Sequence, residues 1–120
     1  MQNVAVIGAS ANPERYSYRA VEALKKNGHA PYPVSRNDKE ILGLQTWSAI
    51  SEIPDPIDTV TIYVRPAVLE TIIDDIITAS PKRVIMNPGT EDDELKQTFE
   101  QAGIAVVQAC TLVMLSTGQF

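Results

Sequence analysis

Apolar residues along this chain fall into short blocks that alternate between two periods. Continuous apolar runs at residues 3–8, 30–34, 58–64, 82–87 and 104–108, with a shorter piece at 46–47, predict strands covered on both faces. Between them the spacing becomes helical. Tyr16, Ala20 and Leu24 make an i, i+4, i+8 stripe that stops at Asn27-Gly28. Val68, Leu69, Ile72, Ile73, Ile76 and Ile77 form a broad apolar face, with Glu70, Asp74 and Asp75 set toward solvent. Leu95, Phe99 and Ala102 mark a third helix that ends at Gly103 and opens at Thr90, with Asp93 completing a shortened capping box. The apolar tail Thr111-Leu112-Val113-Met114-Leu115 reads as a short segment closing the core; exposed, it would offer a contact to a protein partner or a second copy.

Strands alternating with helices imply right-handed crossovers. The expected fold is therefore α/β, a Rossmann-like, doubly wound parallel sheet of about five strands in three α/β/α layers. One domain spans residues 1–120, a length that leaves no room for a separate substrate domain. Pro31 and Pro33 stand two apart, so both missing N–H groups fall on one side of their strand. That strand can pair only on its other side, which places it near the sheet margin beside the first strand, with the 46–47 piece beyond it.

In such a sheet the strand order reverses between the first strand and the one at 58–64, and ligands lie outside the carboxyl ends at that switch point. Four loops should meet there: residues 8–15, 35–39, 64–66 and 87–90. The first follows a buried strand, turns at Gly8 and leads into a helix, which aims backbone N–H groups and a positive helix end at one place. Pro66 suits the first turn of the next helix, and Asn87-Pro88-Gly89 is a turn signal that leaves backbone groups available.

Charge refines this picture. A net charge of −5 argues against a general nucleic-acid binder, but Arg15, Arg19, Arg36, Lys39 and Arg65 all fall in or beside the loops, where a local positive potential can oppose the global one. Hydrophobic residues make up 44% of the chain and no apolar stretch is long enough to span a bilayer; with no basic leader at the N-terminus, a cytoplasmic protein is expected. Cys110 is the one cysteine and cannot form an internal disulfide; it reads as a small buried hydrophobe, able to form a mixed disulfide only if it faced a bound thiol. His29, the one histidine, reads as a turn residue, so neither a metal cluster nor a nucleophile–base pair can be assembled. The acidic residues Glu91, Asp92, Asp93 and Glu94 read as a complement to a helix dipole, not as a catalytic pair. No catalytic residue is assigned.

The dinucleotide fingerprint requires two further glycines after the first and an acid about twenty residues on for the ribose. Here only Gly8 is kept. Ala9-Ser10-Ala11-Asn12-Pro13 supplies a hydroxyl and no later glycine, and the second strand ends in Ser35-Arg36-Asn37, where a cation suits a phosphate carried on the ribose, as in NADP and coenzyme A.

The ordered set GAS-x-NP-x-R-Y-S-Y-R, PV-SRN, YV-RP, NPGTE and QACTL, running the length of the chain, resembles the stand-alone CoA-binding domain proteins. These are similar to the N-terminal domain of the succinyl-CoA synthetase α subunit. The resemblance implies a fold that holds coenzyme A or an acyl-CoA, with Gly8, Ala9, Ser10 and Ala11 at the glycine turn and Asn12 and Arg15 beside it. Ser35, Arg36, Asn37 and Lys39 match the loop at the nucleotide end. Val64, Arg65 and Pro66 match a segment beside the adenine or pantetheine, and Asn87, Pro88 and Gly89 a further wall. The synthetase's second domain, with its phosphorylated histidine, has no counterpart, so the expected role is non-catalytic binding. Two other readings stand beside it: an NAD(P)-binding redox sensor or small oxidoreductase, and an interaction subunit that has lost its ligand.

Overall fold

In the computed structural model, which describes residues 1–120, the apolar runs become five strands of one parallel sheet. These are β1 (Asn3–Ile7), β2 (Ala30–Val34), β5 (Thr59–Ile62), β6 (Arg83–Met86) and β7 (Ala105–Gln108), in the order β2-β1-β5-β6-β7. The order reverses between β1 and β5, as a doubly wound sheet requires. The connecting helices are α1 (Tyr16–Lys26), α2 (Pro66–Ala79) and α3 (Asp93–Gln101), and α4 (Thr111–Ser116) follows the last strand. The fold is thus the expected Rossmann-like α/β class.

Alternation along β1 sends side chains to two separate cores. Val4 and Val6 pack with Val21 and Leu24 of α1 and Leu115 of α4. Ala5 and Ile7 face the other layer, with Val60, Ile62, Leu69, Ile73, Ile76, Val84, Met86 and Phe99. Phe99 is fully buried, and truncating such a side chain to alanine costs about 3–5 kcal/mol.

The prolines of β2 act as expected. Ala30 donates to Gln2 O and Val34 O accepts from Gly8 N, so the even positions face β1. Pro33 faces outward, where its carbonyl accepts from Trp47 N at 2.9 Å while its missing N–H is not needed. Trp47 therefore lies beyond β2, but as a single parallel bridge to Val34, not as a strand over 46–47.

Three further details depart from the sequence pattern. Tyr16 is 65% exposed; the inner face of α1 is Ser17, Ala20, Val21 and Leu24. The α3 cap is Asp92, whose carboxylate accepts from Leu95 N at 3.0 Å, while the Thr90 hydroxyl bonds back to Asn87 O at 2.8 Å. The carboxylate wins because it accepts with full charge at the positive helix end. Finally, β3 (Glu40–Ile41) and β4 (Leu44–Gln45) form a two-stranded hairpin turned through Leu42 and Gly43, both at positive φ.

Candidate ligand-binding cleft at the carboxyl edge of the sheet

The ends of β1, β2, β5 and β6 open onto a cleft of about 770 Å³. Of the residues singled out from sequence, Gly8, Ala9, Ser10, Arg15, Ser35, Arg36, Asn37, Val64, Arg65, Pro88 and Gly89 line it. All four loops are thus brought together. Ala11 and Asn12 belong to the first loop but lie outside the lining and are exposed. Pro66 opens α2 at its first position. Lys39 lines a second, shallower depression on the outer side of residues 35–39, next to Gln45, Thr46 and Trp47.

Asn87 has a different place. It is 2% exposed, and its amide donates to Thr61 Oγ1 at 2.7 Å and Ile62 O at 2.8 Å while its oxygen accepts from Thr111 N at 2.9 Å. The side chain ties the ends of β5 and β6 to the start of α4, with all of its strongest hydrogen-bonding capacity turned inward.

Gly8 is fixed by geometry. Its φ is +83°, and a Cβ there would stand 2.8 Å from Val64 Cγ1 and 3.1 Å from Tyr63 O. Only glycine lets the turn press against the end of β5. Gly8 N and Ala9 N both donate to Val34 O, at 3.2 and 3.1 Å, which locks the turn to the end of β2. Ser10 Oγ accepts from Asn12 N, and Asn12 Oδ1 from Glu14 N, both at 3.0 Å, so the loop stiffens itself before α1 begins.

The walls divide by chemistry. Arg15, Arg36 and Arg65 stand exposed on three separate loops, and none forms an ion pair: the chain's one salt bridge joins Lys82 to Asp58 at 3.8 Å. Ile50, Val64, Val68 and Ile72 supply an apolar flank. Tyr63 lines the cleft too, but its hydroxyl is buried without a hydrogen-bond partner, and burial pushes it up to about 12. It stays neutral. No group of three or more His, Cys, Asp or Glu is placed to hold a metal ion.

Several lining residues were not visible as site residues in the sequence. Val68, Thr71, Ile72 and Asp75 come from α2 at i, i+3, i+4, i+7 spacing, so one helix face points into the cleft; counting from Pro66 would have found it. Ser48, Ala49 and Ile50 arrive because Trp47 pairs with Val34, which nothing local in the sequence announces. Asp38 also lines the cleft, with its carboxylate 3.0 Å from Ala11 N.

Against this geometry, residues 2–116 match the profile of the family described as CoA binding domain. The chain belongs to the CoA-binding domain family. Within it, the domain is 26% identical over 106 residues to the uncharacterized protein YneT of Bacillus subtilis, covering 88% of this chain and 78% of that protein. It is 30% identical over 111 residues to the ADP-forming acetate–CoA ligase II of Archaeoglobus fulgidus, covering 89% of this chain but 16% of the ligase. A crystal structure of an uncharacterized protein superposes with a TM-score of 0.94 at 41% identity, over 100% of this chain and 98% of that one. The CoA-binding domain thus occurs both nearly by itself and as a small part of large ligases.

Proposed function

We propose that this CoA-binding domain holds coenzyme A or an acyl-CoA in the cleft at the carboxyl edge of the sheet, without carrying out a reaction on it. The observation that carries the reading is the set of three arginines without carboxylate partners, converging from three loops on one cleft. Coenzyme A combines phosphates at one end with a long, weakly polar pantetheine arm. A cationic rim beside the apolar flank of Ile50, Val64, Val68 and Ile72 suits a ligand of that make-up. The residues proposed to hold it are Gly8, Ala9, Ser10 and Arg15 at the turn, Ser35, Arg36 and Asn37 after β2, and Val64, Arg65, Pro88 and Gly89 on the facing wall. Arg36 is assigned to the ribose phosphate because it follows the strand whose end meets the ribose in this fold.

Binding to wild type and to Arg36→Ala, measured calorimetrically for coenzyme A and for its 3′-dephospho form, tests the assignment. Loss of the guanidinium–phosphate contact should weaken coenzyme A about tenfold and leave the dephospho ligand within about twofold. Equal losses for the two ligands would remove Arg36 from that role.

One observation favours a second reading. The Asp38 carboxylate reaches the cleft four residues past β2, within the region where dinucleotide-binding folds place a ribose-binding acid. Tight NADPH binding that coenzyme A does not displace would put the nicotinamide reading first.

A further inference from the structure

Most amides of the glycine turn are already in use. Gly8 N and Ala9 N donate to Val34 O, Asn12 N to Ser10 Oγ, and Ala11 N to Asp38 Oδ2, which leaves Ser10 as the one residue among 8–12 whose N–H makes no bond. The Ala11 bond stands apart from the others. Its acceptor is a carboxylate, delivered from the loop after β2, 27 residues away in sequence. The backbone that carries it is held on both sides: the Asp38 N–H donates to Ser35 Oγ at 3.2 Å, and its carbonyl accepts from the Thr46 hydroxyl. The residue is half-buried, and its carboxylate forms no ion pair, although Arg36 and Lys39 stand on its own loop and Arg15 on the loop of the glycine turn.

A carboxylate held on a backbone N–H of the glycine turn occupies the kind of position that a bound phosphate oxygen takes. We propose that Asp38 is an internal anion at the ligand cradle, which the phosphates of the ligand must displace or repel, and that it sets the affinity of the cleft. This rests on the coenzyme A reading above. A protein whose binding-competent form is only a fraction of the population binds its ligand more weakly by that fraction, so removing the internal anion raises affinity. A simple clamp that preforms the cleft would have the opposite sign: cutting the link between the two loops would loosen the cradle and weaken binding.

The test compares coenzyme A binding by calorimetry to wild type, Asp38→Asn, Asp38→Ala and Glu22→Gln. Asp38→Asn removes the charge while keeping an oxygen able to accept from Ala11 N, and Asp38→Ala removes both. Glu22 is exposed on α1 outside the cleft lining and controls for overall charge. Both Asp38 variants should bind about fivefold tighter than wild type, with Glu22→Gln unchanged. The inference falls if wild type binds and the Asp38 variants bind no tighter or more weakly, or if Glu22→Gln reproduces the gain. Absence of binding by all four proteins instead removes the coenzyme A reading, and the internal anion with it.

Discussion

The two ends of the same sheet treat their arginines in opposite ways. At the amino end, polar groups are consumed in holding the chain together. Asn3 N donates to Asp58 Oδ2 at 2.8 Å, Lys82 pairs with that same carboxylate group, and Gln2 N donates to His29 Nδ1 at 3.1 Å. Arg83 Nε donates to Thr59 Oγ1 at 2.9 Å, Thr59 in turn to Gln2 Oε1 at 2.6 Å, and the guanidinium lies 4.5 Å from the centre of the Phe120 ring. Burial holds Arg83 below its ordinary value. At the carboxyl end, Arg15, Arg36 and Arg65 are exposed and unpaired. A surface ion pair is worth little, so leaving these three single costs the fold almost nothing, and under the proposed reading their charge is free for the phosphates of the ligand. Arg83 serves architecture at the amino end; Arg15, Arg36 and Arg65 stand unpaired at the cleft.

The sharpest challenge to this contrast is Asn87, which sits at the carboxyl end yet works as architecture. Asn87→Ala would strand Thr111 N and deprive Thr61 and Ile62 of a donor in a buried place, and should cost about 3 kcal/mol in urea denaturation. A loss below about 1 kcal/mol would mean that Asn87 is free to serve a ligand after all.

Next in size is the exchange between ends. Arg83→Met should lower stability by about 1–2 kcal/mol and leave coenzyme A affinity unchanged, whereas Arg36→Ala should keep stability within about 0.5 kcal/mol while weakening coenzyme A. Paired denaturation and calorimetry read both quantities. If both arginines changed the same quantity, the division of the sheet into a holding end and a binding end would be lost.

The smallest effect concerns pH at the amino end. Burial, the N-terminal ammonium and Arg83 all lower the His29 value below 6.5, and its Nδ1 can accept from Gln2 N only while neutral. The unfolded chain therefore takes up the proton first. The contribution of His29 should be complete above pH of about 6.5 and decline as pH falls toward the lowered folded value, by a few tenths of a kcal/mol for a ring this exposed. Denaturation of wild type and His29→Gln between pH 7.5 and 5 should show this extra decline in wild type alone.

How far the sequence foretold this molecule depends on the range of the interaction. Strands read from continuous apolar runs, and helices read from 3.6-residue spacing, because each is fixed by the burial of its own neighbours; the proline pair even placed β2 at the margin. The β3–β4 hairpin escaped because each strand has two residues and its turn puts Leu42, a bulky residue, at φ +51°. Tyr16 was drawn into an apolar stripe that its ring does not join, since an amphipathic aromatic satisfies the pattern from either side. At the cleft, the glycine turn and the arginines were legible from type and loop position. The α2 face, the Ser48 to Ile50 wall and above all Asp38 were not, because their place depends on which loops fold back against one another.

Titration of the isotopically labelled protein with coenzyme A, followed by amide chemical shifts, tests the central claim most directly. The account predicts saturable shifts at Gly8, Ser10, Ala11, Arg36 and Arg65, with Gln2, His29, Thr59 and Arg83 unmoved. No saturable shift, or shifts centred on the amino end, would contradict it.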